Sequence, residues 1–157
     1  MKQDKFLTGI LIGIGVLIVL ALGLFFTRQD TRTYLNEDTP EGVAHNYALA
    51  VLDKDYEKAY GYLADLRHKP TYEEFRQSFL NGMVNPDGMG LDVGEAEVHG
   101  DEAVVNITLY YSYSDPFSTR TGTPERALLV EQNGEWKVSS MPYSFWDYNW
   151  YQEPYSP

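Results

Sequence analysis

The sequence contains no cysteine. That excludes disulfides, thiolate metal sites, a cysteine nucleophile and a cysteine-linked lipid anchor. For an exported chain, the lack of disulfides fits a bacterial envelope better than a small eukaryotic secreted domain. Basic residues are scarce as well. Of 23 acidic residues only Asp4 precedes residue 27, and of 12 basic residues only Lys2 and Lys5 do, so the remainder carries a balance of −12. Phosphate backbones and anionic headgroups are bound through Lys and Arg, so no nucleic acid partner is expected. A His-x-x-x-His pair, a nucleophile elbow, a phosphate loop and any metal-ligand spacing are also missing. The sequence therefore predicts no catalytic residue, no metal and no cofactor.

What the sequence does have, first, is one long apolar run. Residues 6–26 carry no charge, and 15 of them are Phe, Leu, Ile or Val. As a helix the run measures about 31 Å, the thickness of the hydrocarbon layer. It is longer than the roughly 7–15 apolar residues of a cleaved signal peptide. The expectation is a transmembrane helix over 6–26 and a partner in the lipid bilayer. The short head, 1–5, is expected in the cytoplasm and the rest outside it, as a single-pass plasma-membrane protein. Gly9 and Gly13 form a small-xxx-small pair, which makes them candidates for helix dimerisation.

Residues 27–38 are polar and read as a stalk. A folded domain of roughly 100 residues follows, over 39–142. Thr39-Pro40-Glu41 starts a helix: an N-cap, a proline at the first helical position, and an acid at the positive end of the dipole. Val43, Tyr47, Ala50 and Val51 continue it to about residue 53 at helical spacing. A second helix is predicted over 55–65, with Tyr56, Tyr60 and Leu63 on one stripe. After Pro70, Thr71 and Glu74 form a capping box for a third helix ending near Asn81-Gly82.

Residues 85–90 are turn material, and beyond them the apolar period falls to two. Leu91 to Val98 reads as a strand with a bulge at Gly94. A two-residue turn at Gly100-Asp101 pairs Val98 with Ala103 and Ala96 with Val105. Ala103, Val105, Ile107, Leu109, Tyr111 and Tyr113 then share one face. Ser114 to Pro124 is a predicted loop, Glu125 to Glu131 a third strand and Glu135 to Met141 a fourth, joined at Asn133-Gly134. A two-residue turn there pairs Leu129 with Val138 and Glu131 with Trp136. A three-residue turn with a bulge instead brings Leu128 and Val130 inward, and both registers stay open. Helices followed by antiparallel strands predict an α+β domain, three helices on a curved four-stranded sheet, behind the N-terminal transmembrane helix.

Three local patterns carry a resemblance. They are the opening Thr39-Pro40-Glu41 helix through Ala44, Tyr47 and Leu52, the Asp55-Tyr56-Glu57-Lys58-Ala59 step, and Gly134-Glu135-Trp136-Lys137-Val138 in the last strand. Together they resemble the nuclear transport factor 2-like, or cystatin-like, cone fold over about residues 39–142. The resemblance implies a membrane-anchored bacterial member of unknown function, with helices and sheet enclosing a conical cavity. It also implies a choice, because some members are isomerases or dehydratases and many are non-catalytic binding or dimerisation modules.

The tail, 143–157, puts Tyr143, Phe145, Trp146, Tyr148, Trp150, Tyr151 and Tyr155 among prolines. It is a stacking platform, a belt at lipid headgroups, or a flap folded back on the domain. Candidate ligand-binding residues are Tyr47, Tyr111, Tyr113, Trp136, Trp146 and Trp150. The function expected is an extracytoplasmic binding or protein-interaction module without catalysis, whose partner is an envelope protein, a peptide, a glycan or a second copy. One alternative is a cone enzyme on a small apolar substrate, which needs His45, Asp53 or Tyr111 to converge on a pocket. The other is a structural dimerisation domain.

Overall fold

The computed structural model describes residues 5–27, 33–111 and 122–153, with side chains of 8–23 described in the first stretch. Two compact units result, Met1–Thr33 and Tyr34–Pro157. The first holds one helix, α1 (Lys5–Thr27). Gly9 and Gly13 lie on it with open space around them. The expected transmembrane helix is overturned: among the described residues, no helix is long and apolar enough to cross a membrane. The fold is corrected to α+β with four α-helices and no spanning helix among the described residues, which gives the signal-anchor description no support.

The second unit opens with three helices: α2 (Pro40–Leu52), α3 (Tyr56–Gly61) and α4 (Tyr72–Leu80). Thr39 caps α2 by accepting the Gly42 N–H. Ten of the thirteen residues of α2 are buried, because the helix contacts all four strands on one side and is wrapped by irregular segments elsewhere. A helix covered all round needs no polar face, so the stripe of Val43, Tyr47, Ala50 and Val51 extends to Ala44, Asn46, Ala48 and Leu49. The α4 capping box forms as expected, with Thr71 and Glu74 each satisfying the other's backbone donor.

Helix α3 ends four residues before the predicted limit, at Gly61. Tyr62 caps the helix, and Leu63 then bridges Val138 of the last strand in parallel. Val138 N–H donates to the Tyr62 carbonyl, and Ala64 N–H to the Val138 carbonyl, both at 2.8 Å. Pairing with a strand outcompetes one further helical turn there.

The sheet has order β1-β2-β3-β4, all antiparallel, over β1 (Met89–His99), β2 (Glu102–Tyr111), β3 (Gly122–Gln132) and β4 (Glu135–Ser140). In the first hairpin Val98 faces Ala103 and Ala96 faces Val105, with the register shift between Val93 and Ala96. The second hairpin takes the two-residue turn: Leu129 pairs with Val138 and Glu131 with Trp136. Asn133 and Gly134 both have positive φ, 55° and 81°, as a type I′ turn requires. Leu129 is buried and Leu128 is 45% exposed, so the alternative register is excluded. β3 begins at Gly122, which pairs with Tyr110. The predicted loop is therefore shorter at its end, and its other residues lie outside those described.

Ala103, Val105, Ile107, Leu109, Ala127, Leu129 and Val138 turn to the helices and join Tyr47, Phe75 and Phe145 in one core. The space between sheet and helices is filled by these side chains.

Candidate functional site

One concavity of the second unit lies beside its core. It is a cleft of about 680 Å³ between α4, the loop before it and the C-terminal tail. Each wall has a local cause. Pro70 precedes the α4 cap, and its carbonyl accepts the Tyr60 hydroxyl at 2.9 Å. This holds the loop His68–Pro70 against α3. On the other side Pro142 turns the chain off the sheet into a 3₁₀ turn, Tyr143–Phe145. Asp147 then closes a local turn, its Oδ1 accepting the Asn149 N–H at 2.9 Å and the Asn149 side-chain amide at 2.8 Å.

Loop and tail are tied together. Tyr151 N–H donates to the His68 carbonyl at 3.2 Å, and the Tyr151 hydroxyl to the Ala64 carbonyl at 2.7 Å. Both residues of that tie adopt positive φ, 60° at His68 and 62° at Tyr151. Such backbone is sparsely populated for residues with a Cβ and persists only where the surroundings enforce it. Across the cleft, Ser78 of α4 donates its hydroxyl to Asp147 Oδ2 at 2.8 Å, in a buried contact. Lys69 places its ammonium on the Leu63 carbonyl at 3.2 Å and 5.0 Å above the Tyr60 ring.

Two polar atoms at this cleft remain without a partner among the described residues: Nε1 of Trp150 and Nε2 of His68. Trp150 is 5% exposed. A buried donor left unsatisfied costs about 1–3 kcal/mol.

The residues singled out in the sequence do not assemble into one site. Tyr47 is wholly buried and donates its hydroxyl to the Phe145 carbonyl at 2.8 Å. Burial, with a smaller effect of Tyr151, raises its phenol well above the ordinary range, so it stays protonated. Trp146 is buried, stacked on Tyr151 at 5.8 Å. Trp136 is half-buried on β4 against the core. Tyr111 ends β2, its hydroxyl bonded to that of Tyr143 at 2.9 Å. Tyr113 lies outside the described residues. Of the six aromatic candidates only Trp150 lines the cleft. The enzyme reading needs His45, Asp53 or Tyr111 to converge on a pocket, and none of these three lines this cleft.

Sequence reading missed His68, Ser78, Asp147 and Asn149. His68 lies two residues before Pro70 in the sequence, and nothing local marks it as inward. Ser78 and Asp147 are 69 residues apart, and no periodicity links them. The tail, by contrast, folds back as one of its three expected readings has it, with Phe145, Trp146 and Trp150 in the core and Tyr143 and Tyr148 exposed. Tyr155 lies outside the described residues.

No protein-family model matches the chain, and no curated protein does. Among solved structures it is similar to a SEC-C motif containing protein from Rhodopseudomonas palustris, at 16% identity over 68% of this chain and 79% of that one, with a TM-score of 0.48. It is also similar to a protein of unknown function with a cystatin-like fold from Nostoc punctiforme, at 19% identity over 61% and 80%, TM-score 0.46. An uncharacterised cystatin fold protein from Novosphingobium aromaticivorans is a third, at 11% identity over 64% and 96%, TM-score 0.44. Cystatin-like folds are thus among its structural neighbours, and at these identities the likeness concerns the fold alone.

Proposed function

We propose that the unit Tyr34–Pro157 is a cone-fold binding module without catalysis, and that its ligand sits in the cleft between α4 and the tail. The observation that carries this is the cleft itself, where the loop, α4 and the tail bring His68, Ser78, Asp147 and Trp150 together around about 680 Å³. Asp147, a carboxylate of the cleft, does structural work: both its oxygens are taken, by Ser78 and Asn149. A general base needs a lone pair directed at substrate, so Asp147 favours binding over proton transfer.

A fragment screen on the ¹⁵N-labelled full chain tests this reading. Fragments that bind are expected to move the backbone amides of Ser78 and Asn149 and the Trp150 indole signal together. A screen in which hits cluster elsewhere, or in which no fragment moves these three signals, defeats the proposal.

A further inference from the structure

The two edges of the sheet are finished differently. Beyond β4 the backbone of Val138 is bonded to Tyr62 and Ala64. Beyond β1 no further strand pairs among the described residues. The turn at Gly100-Asp101 makes His99 and Glu102 the closing bonded pair, and bonding alternates from there. Glu97, Asp92 and Gly90, opposite Val104, Thr108 and Tyr110, therefore turn their backbone groups to β2. Met89, Leu91, Val93, Ala96 and Val98 turn theirs outward. Two outward bonds agree with this: Ala96 N–H donates to Glu41 Oε1 at 3.0 Å, and Met89 N–H to the Pro86 carbonyl at 3.0 Å. Val98 stands apart, past the bulge and beside the turn. That leaves Leu91 and Val93, whose outward N–H and C=O groups have no partner among the described residues.

The side chains of this edge are unfinished at the same place. On β2, Leu109 and Ile107 are 1% exposed. Leu91 and Val93, directly opposite them, are only half-buried against the same core. A strand laid along Leu91–Val93 would bond the open backbone and cover both side chains.

Charge says what kind of strand fits. β1 carries no Lys or Arg, and Asp92, Glu95 and Glu97 are exposed. An antiparallel strand bonded at Leu91 and Val93 has its non-bonded pair at Asp92, where facing side chains come closest. Opposite charges stabilise such a pair and like charges destabilise it. A hydrogen bond from the Tyr110 hydroxyl, on the neighbouring strand, holds the Asp92 carboxylate on that face. A second copy of this chain fits poorly. Bonding both Leu91 and Val93 to their symmetry mates puts the twofold axis at Asp92 and sets two carboxylates against each other.

We infer that the Leu91–Val93 edge takes up an extended segment of a partner protein, antiparallel, with a Lys or Arg beside Asp92 and an apolar residue on either side of it. Those two apolar residues fall on the inner face, beside Leu91 and Val93. No residue of β1 lines the cleft, so this surface is separate from the proposed ligand site.

The test titrates the ¹⁵N-labelled full chain with N-acetyl-Thr-Val-Lys-Val-Thr-amide and, separately, with the same peptide carrying Glu in place of Lys. The lysine peptide is expected to move the Leu91 and Val93 amide signals saturably and to slow their hydrogen exchange, while the Ser78 and Asn149 amides of the cleft stay still. The glutamate peptide is expected to bind about threefold more weakly, the worth of one cross-strand charge pair. Asp92→Lys reverses that order, and unchanged Ile107 and Leu129 amides report an intact sheet in the variant. Equal binding of the two peptides, or an order that Asp92→Lys leaves as it was, overturns the charge assignment. If neither peptide moves Leu91 and Val93, the docking edge itself falls, whatever happens at the cleft. A concentration-dependent shift of these two amides without peptide also overturns the proposal, because it gives the edge to a second copy.

Discussion

Two irregular segments wrap the same helix-and-sheet body, and they are fastened in opposite ways. The leading one, Tyr34–Asp38, is held by polar groups. The Asn46 side chain, itself buried, accepts the Leu35 N–H at 2.7 Å and donates to the Leu35 carbonyl at 2.9 Å, standing in for a strand partner. Glu37 accepts the Tyr62 hydroxyl at 2.7 Å, and the Lys58 ammonium sits 3.2 Å above the Tyr34 ring. Gly42 makes the approach possible, since a Cβ there would collide with the Asn36 carbonyl oxygen. The trailing segment, Tyr143–Tyr151, is held by aromatic burial, with Phe145, Trp146 and Trp150 inside the core. A few directional bonds at a half-exposed surface contribute about 1 kcal/mol each. Burying large rings contributes several times more and makes the segment part of the core. One segment is an attachment; the other is a structural element that has no regular secondary structure.

That contrast is open to direct attack. The largest effect belongs to the tail. A chain ended after Met141 loses Phe145, Trp146 and Trp150, where a single Phe or Trp to Ala change already costs about 3–5 kcal/mol. It is expected to lose its cooperative urea transition, and a melting temperature equal to that of the full chain would show that the tail is not core. The leading segment gives a smaller and local effect. Asn46→Ala is expected to cost about 1–3 kcal/mol and to accelerate hydrogen exchange at residues 34–38 without altering protection in the sheet. Gly42→Ala releases the same segment by collision. The double variant therefore costs little more than the worse single one, and full additivity would mean that the two residues act independently.

The smallest effect lies at the cap of α4, which borders the cleft. Thr71→Ala is expected to cost about 1 kcal/mol. The Thr71 N–H, and then its hydroxyl, hold the Glu74 carboxyl below the ordinary carboxylate range. A depressed folded value means that Glu74's share of stability is complete above its unfolded value near 4.3 and vanishes as pH falls through the folded one. In Thr71→Ala the stability lost between pH 5 and pH 3 should shrink, and an unchanged acid slope would remove Glu74 from the explanation.

Legibility in the sequence follows how local the cause is. The first hairpin's register is readable, because Gly100 fixes the turn and the apolar alternation agrees with it, whereas the second stays open in the sequence, since Leu128, Leu129 and Val130 are all apolar and only the structure selects Leu129 opposite Val138. The Thr71–Glu74 cap is readable for the same reason, as four adjacent residues contain all of it. The end of α3 is not, since Tyr62–Ala64 leaves the helix for a strand far along the chain. The role of Asn46 is hidden too. On an apolar helix it looks like an interruption, and its meaning depends on a segment eleven residues earlier. The cleft is least legible of all. Its Ser78–Asp147 tie and its strained His68–Tyr151 tie join distant stretches, so only Trp150 could be named, as one aromatic among many. The apolar run 6–26 was the loudest feature of the sequence, yet it yields no membrane-crossing helix among the described residues.

The bridge from Leu63 to Val138 has one more consequence. It occupies the outer border of β4 through the two bonds at Val138, where another chain would otherwise add a strand and begin an aggregate. Because synthesis is vectorial, Tyr62–Ala64 leave the ribosome before Val138 exists. The shield is therefore made ahead of the surface it protects, and a nascent chain need never display that border to its neighbours while the last hairpin forms.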